Sequence, residues 1–166
     1  MRHKTPKYYA YFIDDLIDHY MKTRGGEKLP NRRLLSPIVE LMFKEQEYLG
    51  RGAFKRVFKV LSRNGKRELV LKIGKPKSIK NDWEVYVYAK RNGLADRYFA
   101  KCYWHTKYCM LQKFGEDRKV PPKIQRDLKE RANKIGLQDV GLSSNRNIRY
   151  TDGEFRIIDA GFSSKG

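Results

Sequence analysis

Three short segments in a fixed order constrain the fold of this chain of 166 residues more than any other feature. The first holds a glycine pair, the second a lysine inside an apolar strand pattern, and the third an aspartate that closes another apolar strand pattern. Without a Cβ atom, the glycine pair lets backbone amides approach an anion. Each segment alone is weak evidence, and their order makes them informative. They are Gly50-Arg51-Gly52-Ala53-Phe54-Lys55-Arg56-Val57, Val70-Leu71-Lys72-Ile73 and Ile157-Ile158-Asp159-Ala160-Gly161-Phe162.

Two amphipathic helices are predicted before the glycine pair. The first has apolar residues at helical spacing and ends before Gly25-Gly26. The second opens with Ser36 as its N-cap and Pro37 at the first helical position, and it runs to about Glu45. We expect both helices to pack against the sheet that follows. The polar face of the first helix carries three aspartates: Asp14, Asp15 and Asp18.

In the rest of the chain the strand patterns come in pairs that form hairpins, with helix patterns between the hairpins. Hairpins pair their strands antiparallel, so we expect an α+β fold with an antiparallel sheet. Hairpin turns are predicted at Asn64-Gly65 and Asp152-Gly153, where these dipeptides favour tight turns. The other predicted elements are a helix over 82–90, a hairpin of strands over 98–104 and 108–114, and a helix from Pro121-Pro122 to Gly136.

The chain is strongly basic. Lysine and arginine number 37 against 19 aspartates and glutamates, so the formal net charge is +18. A surface with this excess attracts phosphates, whether they belong to a nucleotide, a nucleic acid or an acidic protein partner. Charge alone does not choose among these partners, so a nucleic acid bound through the basic surface stays open.

The sequence excludes several classes of protein and site. No apolar run approaches the ~20 residues of a membrane-spanning helix and no secretory leader is recognisable, so we expect a cytoplasmic protein with no membrane partner. Cys102 and Cys109 match no metal-binding spacing and are interpreted as reduced packing residues. The glycine pair is not a P-loop because no G-K-[ST] follows it, and it leads into a strand rather than into the helix of a dinucleotide site.

The three segments, with Glu84 and Asp139 between the second and the third, resemble the nucleotide site of the protein kinase-like superfamily. That site combines a glycine-rich loop, a strand lysine, a catalytic-loop aspartate and a metal-binding D-F-G. The resemblance covers roughly Tyr48 to Gly161. Within the superfamily, the chain is similar to RIO-type and short phage-type Ser/Thr kinases. It implies a kinase-like α+β fold with an antiparallel N-lobe sheet, an N-terminal helical extension and a truncated C-lobe.

The resemblance also implies the boundaries of these parts. Residues 1–47 are expected to form the N-terminal helical extension and 48–166 a minimal kinase-like domain, with an N-lobe over about 48–114 and a reduced C-lobe over about 115–166. No segment after Gly161 resembles an activation segment, so we expect protein substrates to be recognised elsewhere. One candidate is a basic surface that includes Lys119, Lys123, Arg126 and Lys129.

By this resemblance, ATP is the implied cofactor. The glycine-loop amides and Lys72 hold its phosphates, and Lys55 stands where the family has a third glycine. Glu84 orients Lys72, with Asp82 as the alternative, and backbone groups at the hinge read adenine. The implied nucleotide-binding positions are Gly50, Gly52, Lys55, Val57, Lys72, Leu111, Gln112 and Lys113.

The remaining implied roles concern Mg²⁺ and the reacting groups. Asp139 orients or deprotonates the attacking hydroxyl, in a loop where Leu137 and Gln138 replace the family's histidine and arginine. Asp159 and an asparagine bind Mg²⁺; Asn147 is the preferred asparagine and Asn145 the alternative. The implied catalytic residues are Asp139, Lys72 and Glu84, and the implied metal ligands are Asn147 and Asp159.

We therefore expect an ATP- and Mg²⁺-dependent phosphotransferase that acts on Ser/Thr of a protein or of itself. The alternative is a catalytically weak, pseudokinase-like basic protein that binds a nucleotide or a nucleic acid. The altered catalytic loop and the +18 charge favour the alternative, whereas the presence of both Asp139 and Asp159 favours the enzyme.

Overall fold

The computed structural model describes residues 5–24, 28–52, 55–138 and 147–162. The chain divides into two compact units. The first comprises Met1–Lys80 and Tyr103–Gln112, and the second Asn81–Cys102 and Lys113–Gly166. Within the described ranges, no helix has both the length and the apolar character needed to cross a membrane.

Two helices and a five-stranded antiparallel sheet make up most of the first unit. The sheet has the order β1-β2-β3-β5-β4, and the predicted α+β class with an antiparallel sheet is confirmed. The β2–β3 hairpin turns at Asn64-Gly65 as predicted, since Gly65 has a φ of +73°. The elements are α1 Pro6–Arg24, α2 Arg32–Met42, β1 Glu45–Gly52, β2 Lys55–Leu61, β3 Glu68–Gly74, β4 Cys102–His105 and β5 Cys109–Lys113.

Both helices share one hydrophobic core with one face of this sheet. The alternate residues Phe58 and Val60 on β2, and Leu71 on β3, lie on this face and are buried against the helices. The predicted packing of the helices on the sheet is therefore confirmed. The members of this core include Ala10, Ile13, Ile17, Leu35, Val39, Met42, Phe58, Val60, Leu69, Leu71 and Ile73.

The start of α2 differs from the prediction. Asn31 is the N-cap, and its side-chain oxygen accepts hydrogen bonds from the backbone N–H groups of Arg33 and Leu34 at 3.1 and 3.3 Å. Asn is among the strongest N-cap residues, so the helix begins at Arg32 and not at Pro37. Pro37 consequently lies inside the helix, where its missing N–H leaves one backbone carbonyl without an intrahelical partner.

The prediction that Asp14 lies on the polar face of α1 is wrong, because its side chain is buried. Asp14 accepts hydrogen bonds from the Thr106 hydroxyl (3.0 Å) and from the backbone N–H groups of Lys107 (3.3 Å) and Tyr108 (2.9 Å). These three donors belong to the β4–β5 turn, 92 to 94 residues away in the sequence. Burial raises the pKa of Asp14 and the hydrogen bonds oppose that shift. The carboxylate thus ties α1 to the turn.

Replacing Asp14 by asparagine should destabilise the protein by about 1–3 kcal/mol, because an amide cannot accept all three hydrogen bonds and leaves a buried donor unsatisfied. Chemical denaturation monitored by circular dichroism measures this change. The matched control is Asp15→Asn, one residue along the same helix and exposed, which should change the free energy of unfolding by less than about 0.5 kcal/mol. Equal effects from the two substitutions would show that Asp14 does not tie α1 to the turn.

Asp18, one helical turn further on, predicts a pH dependence of stability. Its carboxylate accepts hydrogen bonds from the Lys107 ammonium at 2.8 Å and from the Tyr108 hydroxyl, and these lower its pKa. A carboxylate whose pKa is lower in the folded state than in the unfolded state, where it is about 3.9, stabilises the folded protein at pH values above the unfolded-state pKa. This stabilisation is lost as the pH falls through the folded-state pKa. The stability difference between wild type and Asp18→Asn should therefore be constant at neutral pH, about 0.5 kcal/mol for this exposed group, and vanish in acid. A difference that persists at pH about 2 would contradict this.

The second unit contains most of α3 and the remaining elements, which are α3 Pro76–Arg91, α4 Pro122–Lys134, β6 Leu137–Gln138, β7 Ile148–Thr151, β8 Glu154–Ile157 and β9 Gly161–Phe162. The β7–β8 hairpin turns at Asp152 and Gly153, as predicted, since both have positive φ angles. α3 starts at Pro76 rather than at residue 82, because proline suits the first helical position.

The predicted strand over 98–104 is shorter in the structure, since β4 begins only at Cys102. The backbone before it pairs elsewhere in the second unit. Ala100 donates to the carbonyl of Ile157, and Ile157 donates to the carbonyl of Tyr98, both at 2.8 Å. The hydrogen-bonding groups of residues 98–100 are therefore used by the end of β8 rather than by a longer β4.

Candidate functional site

The glycine pair joins β1 to β2. Gly52 pairs with Lys55 across the two strands, and the connecting residues 53–54 lie outside the described residues. The pair thus ends a strand, whereas the sequence placed it at the start of one. Gly50 has a φ of +137°, a conformation that side chains rarely adopt, and a Cβ atom built there would meet nothing within 4 Å. Gly50 is therefore required for its backbone conformation, and the space beside it is open.

The strand register aligns three of the predicted nucleotide-binding residues. Gly50 is paired with Val57, and Val57 is paired with Lys72, so the three form a row across β1, β2 and β3. Residues directly opposite each other in a sheet project to the same face. Lys55, two residues before Val57, projects to that face as well and is a diagonal neighbour of Lys72.

This face is the one opposite the N-terminal helices. Leu71 and Phe58 are paired with each other on the helix-covered face, and their neighbours Lys72 and Val57 therefore lie on the other. The predicted placement of Lys72 on the face opposite Leu71 is confirmed. α1 and α2 therefore do not cover the sheet face that carries Lys55, Lys59 and Lys72.

Lys72 itself is buried, with a relative exposure of 8%. Within the described part of the chain, its ammonium has no hydrogen-bond or ion-pair partner. The stem of Lys72 is buried while its ammonium nitrogen keeps contact with solvent, and lysines buried to this degree are usually paired. A phosphate group fits this position because it would supply the missing negative charge. The neighbours of Lys72 along β3, Leu71 and Ile73, are apolar.

The predicted hinge residues belong to β5, where Leu111 and Gln112 are buried and Lys113 is the last residue. The Lys113 N–H already donates to the carbonyl of Lys101 at 2.8 Å, and the Lys113 ammonium pairs with Asp152. Reading of adenine by the Lys113 N–H would therefore require an existing bond to break. The role of these three residues stays a prediction.

Glu84 and its alternative Asp82 both lie on α3. The side chain of Glu84 is exposed, and that of Asp82 is partly buried. Each takes part in at least one polar or electrostatic interaction. They belong to the second unit, whereas Lys72 belongs to the first. The pairing of Glu84 with Lys72 stays a prediction.

Two short antiparallel strand pairs flank the predicted catalytic segment of the second unit. β6 pairs with β9, with Gln138 opposite Gly161, and β7 pairs with β8. Asp139 follows Gln138 directly in the sequence, but Asp139 and Asn145 lie outside the described residues. The Gln138 side-chain amide donates to the carbonyl of Phe162 at 3.1 Å. The strand before Asp139 is thereby held to the strand after Asp159.

Asn147 and Asp159 are brought together at the open end of the β7–β8 hairpin. The N–H of Ile158 donates to the carbonyl of Asn147 at 2.8 Å, which places Asp159 one residue from that bond. Asp159 is half-buried, and no described residue forms a hydrogen bond or an ion pair with its carboxylate. Mg²⁺ is usually held by one or two carboxylates together with substrate phosphates, and Asp159 fits that requirement.

The sequence analysis missed the structural role of Gln138. It was recognised only as a departure from the family's arginine, although its amide ties β9 in place. The sequence signal for this role was the position of Gln138, a polar residue directly before the predicted catalytic aspartate. The cysteines behave as predicted: Cys102 and Cys109 form no disulfide and are buried, and burial raises the pKa of the Cys109 thiol, which makes it unreactive.

In comparisons with known proteins, no family model and no curated protein sequence matches this chain. The resemblance to protein kinases is therefore one of individual residues and motifs in the sequence.

Proposed function

We propose that the protein is an ATP- and Mg²⁺-dependent phosphotransferase of the protein kinase-like type, acting on Ser/Thr of a protein or of itself. The observation that carries the proposal is the buried Lys72 on β3, in register with Gly50 and on the sheet face opposite the N-terminal helices. In protein kinases the phosphate-binding lysine likewise lies on the third strand and is followed by a helix.

The residues divide into phosphate, metal and hydroxyl roles. Lys72 and the amides of the glycine loop hold the phosphates, with Lys55 adding charge on the same face of the sheet. Asp159 and Asn147 hold Mg²⁺, which when bound neutralises charge on the β- and γ-phosphates. Asp139 orients or deprotonates the attacking hydroxyl. Positioning and charge neutralisation supply the rate acceleration in this scheme.

A pseudokinase-like nucleotide-binding protein is the second candidate. Leu137 and Gln138 stand where the family has histidine and arginine, and Gln138 supports β9 through its amide. In this candidate the same residues bind ATP, and no phosphoryl group is transferred.

Transfer of labelled γ-phosphate from ATP separates the two candidates. The full chain should be incubated with Mg²⁺, alone and with an acidic protein, and the phosphorylated residues identified by mass spectrometry. We expect label on Ser or Thr of the chain itself or of the added protein. ATP binding without transfer would support the pseudokinase-like candidate, and the absence of ATP binding would reject both.

A further inference from the structure

The surface of α1 carries an unusual concentration of exposed aromatic rings. Among the described residues, four large aromatic side chains are exposed, and three of them lie on this helix. Their exposed fractions are 42% for Tyr8, 52% for Tyr11 and 49% for Phe12. They occupy positions i, i+3 and i+4, so they share one helix face. Tyr8 and Phe12 pack edge to face with ring centroids 5.1 Å apart. Aromatic surface clustered in this way marks an interaction site.

Arginine connects these rings to a basic hairpin turn. The Arg63 guanidinium lies 5.5 Å from the ring of Tyr9, and Tyr9 contacts both Tyr8 and Phe12. Arg63 also donates to the carbonyl of Leu41, which is itself 59% exposed. The aromatic face of α1 is thus continuous with the end of α2 and with the β2–β3 turn.

That turn carries further positive charge. Lys66 and Arg67 are exposed on it, and the Lys44 ammonium lies 3.4 Å from where a Cβ atom of Gly65 would stand. No acidic residue in the described ranges pairs with Lys44, Lys66 or Arg67. Unpaired cations at a surface attract phosphates.

We propose that this surface binds single-stranded nucleic acid, with bases stacking on Tyr8, Tyr11 and Phe12 and phosphates held by Lys44, Lys66 and Arg67. Proteins that bind single strands combine aromatic stacking platforms with a positively charged track. The unpaired cations favour a polyanion over an apolar protein segment. The basic face of α4, with Lys123, Arg126 and Lys129, has no exposed aromatic ring beside it among the described residues and lacks this combination.

This surface lies on the first unit, on the side of the sheet where the helices pack, and its binding does not depend on the proposed phosphotransferase activity. A nucleic acid bound here would leave the sheet face of Lys72 unaltered. The two proposals therefore fail independently, since the binding experiment contains no ATP.

The test is fluorescence anisotropy with the full chain and labelled oligonucleotides of about 12 nucleotides, as single-stranded RNA, single-stranded DNA and duplex DNA, across a salt series. We expect tighter binding to the single strands than to the duplex. Tyr8→Ser/Phe12→Ser should weaken single-strand binding at least about tenfold. Leu34→Ser, an exposed apolar residue on α2, is the matched control and should leave the affinity unchanged.

Two charge variants complete the design. Lys44→Gln/Lys66→Gln/Arg67→Gln should lower the slope of log affinity against log salt by about 2, because each released counterion contributes about 0.7 for single strands. Lys123→Gln/Arg126→Gln/Lys129→Gln removes the same charge from α4 and should have a much smaller effect. Melting temperatures establish that each variant is folded.

Three results would overturn the proposal. Equal losses in the two charge variants would mean that the net charge of the chain alone attracts the nucleic acid. Wild-type affinity of Tyr8→Ser/Phe12→Ser would mean that the rings do not stack on bases. Absence of oligonucleotide binding, together with a concentration-dependent dimer that Tyr8→Ser/Phe12→Ser abolishes, would assign the surface to a protein interface.

Discussion

Replacing Lys72 by methionine should abolish most of the rise in melting temperature that ATP and Mg²⁺ give the wild-type protein. A ligand present at 100 times its dissociation constant stabilises the folded state by about 2.7 kcal/mol, and this contribution disappears with the affinity. Lys72 is buried on β3 without a described counter-charge, so the nucleotide phosphates are its proposed partner. Because methionine keeps most of the apolar stem of Lys72, the ligand-free variant should melt close to the wild-type temperature.

The matched control is Lys59→Met. Lys59 lies on the same face of β2, but its ammonium pairs with Glu68 at 2.9 Å. This variant should retain the full shift with ATP and Mg²⁺. A Lys72→Met variant whose shift equals that of wild type would show that Lys72 is not a phosphate ligand.

Substitution of the two predicted site aspartates by asparagine should produce different defects. Asp159→Asn should weaken binding of the Mg²⁺–ATP complex at least about tenfold, because a full negative charge leaves the metal's surroundings. Asp139→Asn should leave nucleotide affinity unchanged and lower the rate of phosphoryl transfer by about 10²–10⁴-fold, which is the usual contribution of a general base. Isothermal titration calorimetry measures the affinities, and single-turnover kinetics measures the transfer rate.

Asp127→Asn serves as the control, since Asp127 is an exposed residue of α4 that pairs with Arg131. Small and equal effects at Asp139 and Asp159 would mean that these positions resemble the kinase site only in sequence. The same Mg²⁺ titration with Asn147→Ala and Asn145→Ala identifies the second metal ligand. We expect the loss at Asn147, because its backbone bond to Ile158 holds it beside Asp159.

Features with a repeating pattern were predictable from the sequence. Alternation along β2 and β3 placed Lys72 on the face opposite Leu71, and the strand register agrees. Turn dipeptides located both hairpins, and Gly65, Asp152 and Gly153 have the positive φ angles that such turns need.

Features that depend on distant partners were not predictable. Asp14 has the polar character of a solvent-facing helix position, and only the donors of the β4–β5 turn explain its burial. β6 and β9 are two residues long, which is too short for any periodicity to appear. The N-cap was assigned to Ser36 because Pro37 is a strong local signal, whereas Asn31, more than one helical turn earlier, caps the helix.

The site was predictable in its parts. The pairing of Val57 with Lys72 belongs to the hairpin of β2 and β3 that the sequence predicted. The pairing of Gly50 with Val57 needs β1, a strand that the sequence pattern did not indicate. The proximity of Asn147 to Asp159 follows from the last hairpin, whose turn was recognised. The support that Gln138 gives to β9 depends on a side-chain bond to a backbone carbonyl 24 residues away, which no local pattern reveals.

Covalent labelling with an acyl-phosphate derivative of ATP tests the central claim most directly, because this reagent acylates lysines whose ammonium groups lie beside the bound phosphates. The full chain should be labelled with Mg²⁺ present, with and without excess ATP, and the modified lysines identified by peptide mass spectrometry. We predict that Lys72 is the principal site, with Lys55 as a minor one, and that excess ATP suppresses both. Labelling spread over exposed lysines such as Lys123 and Lys134, unaffected by excess ATP, would contradict the nucleotide site.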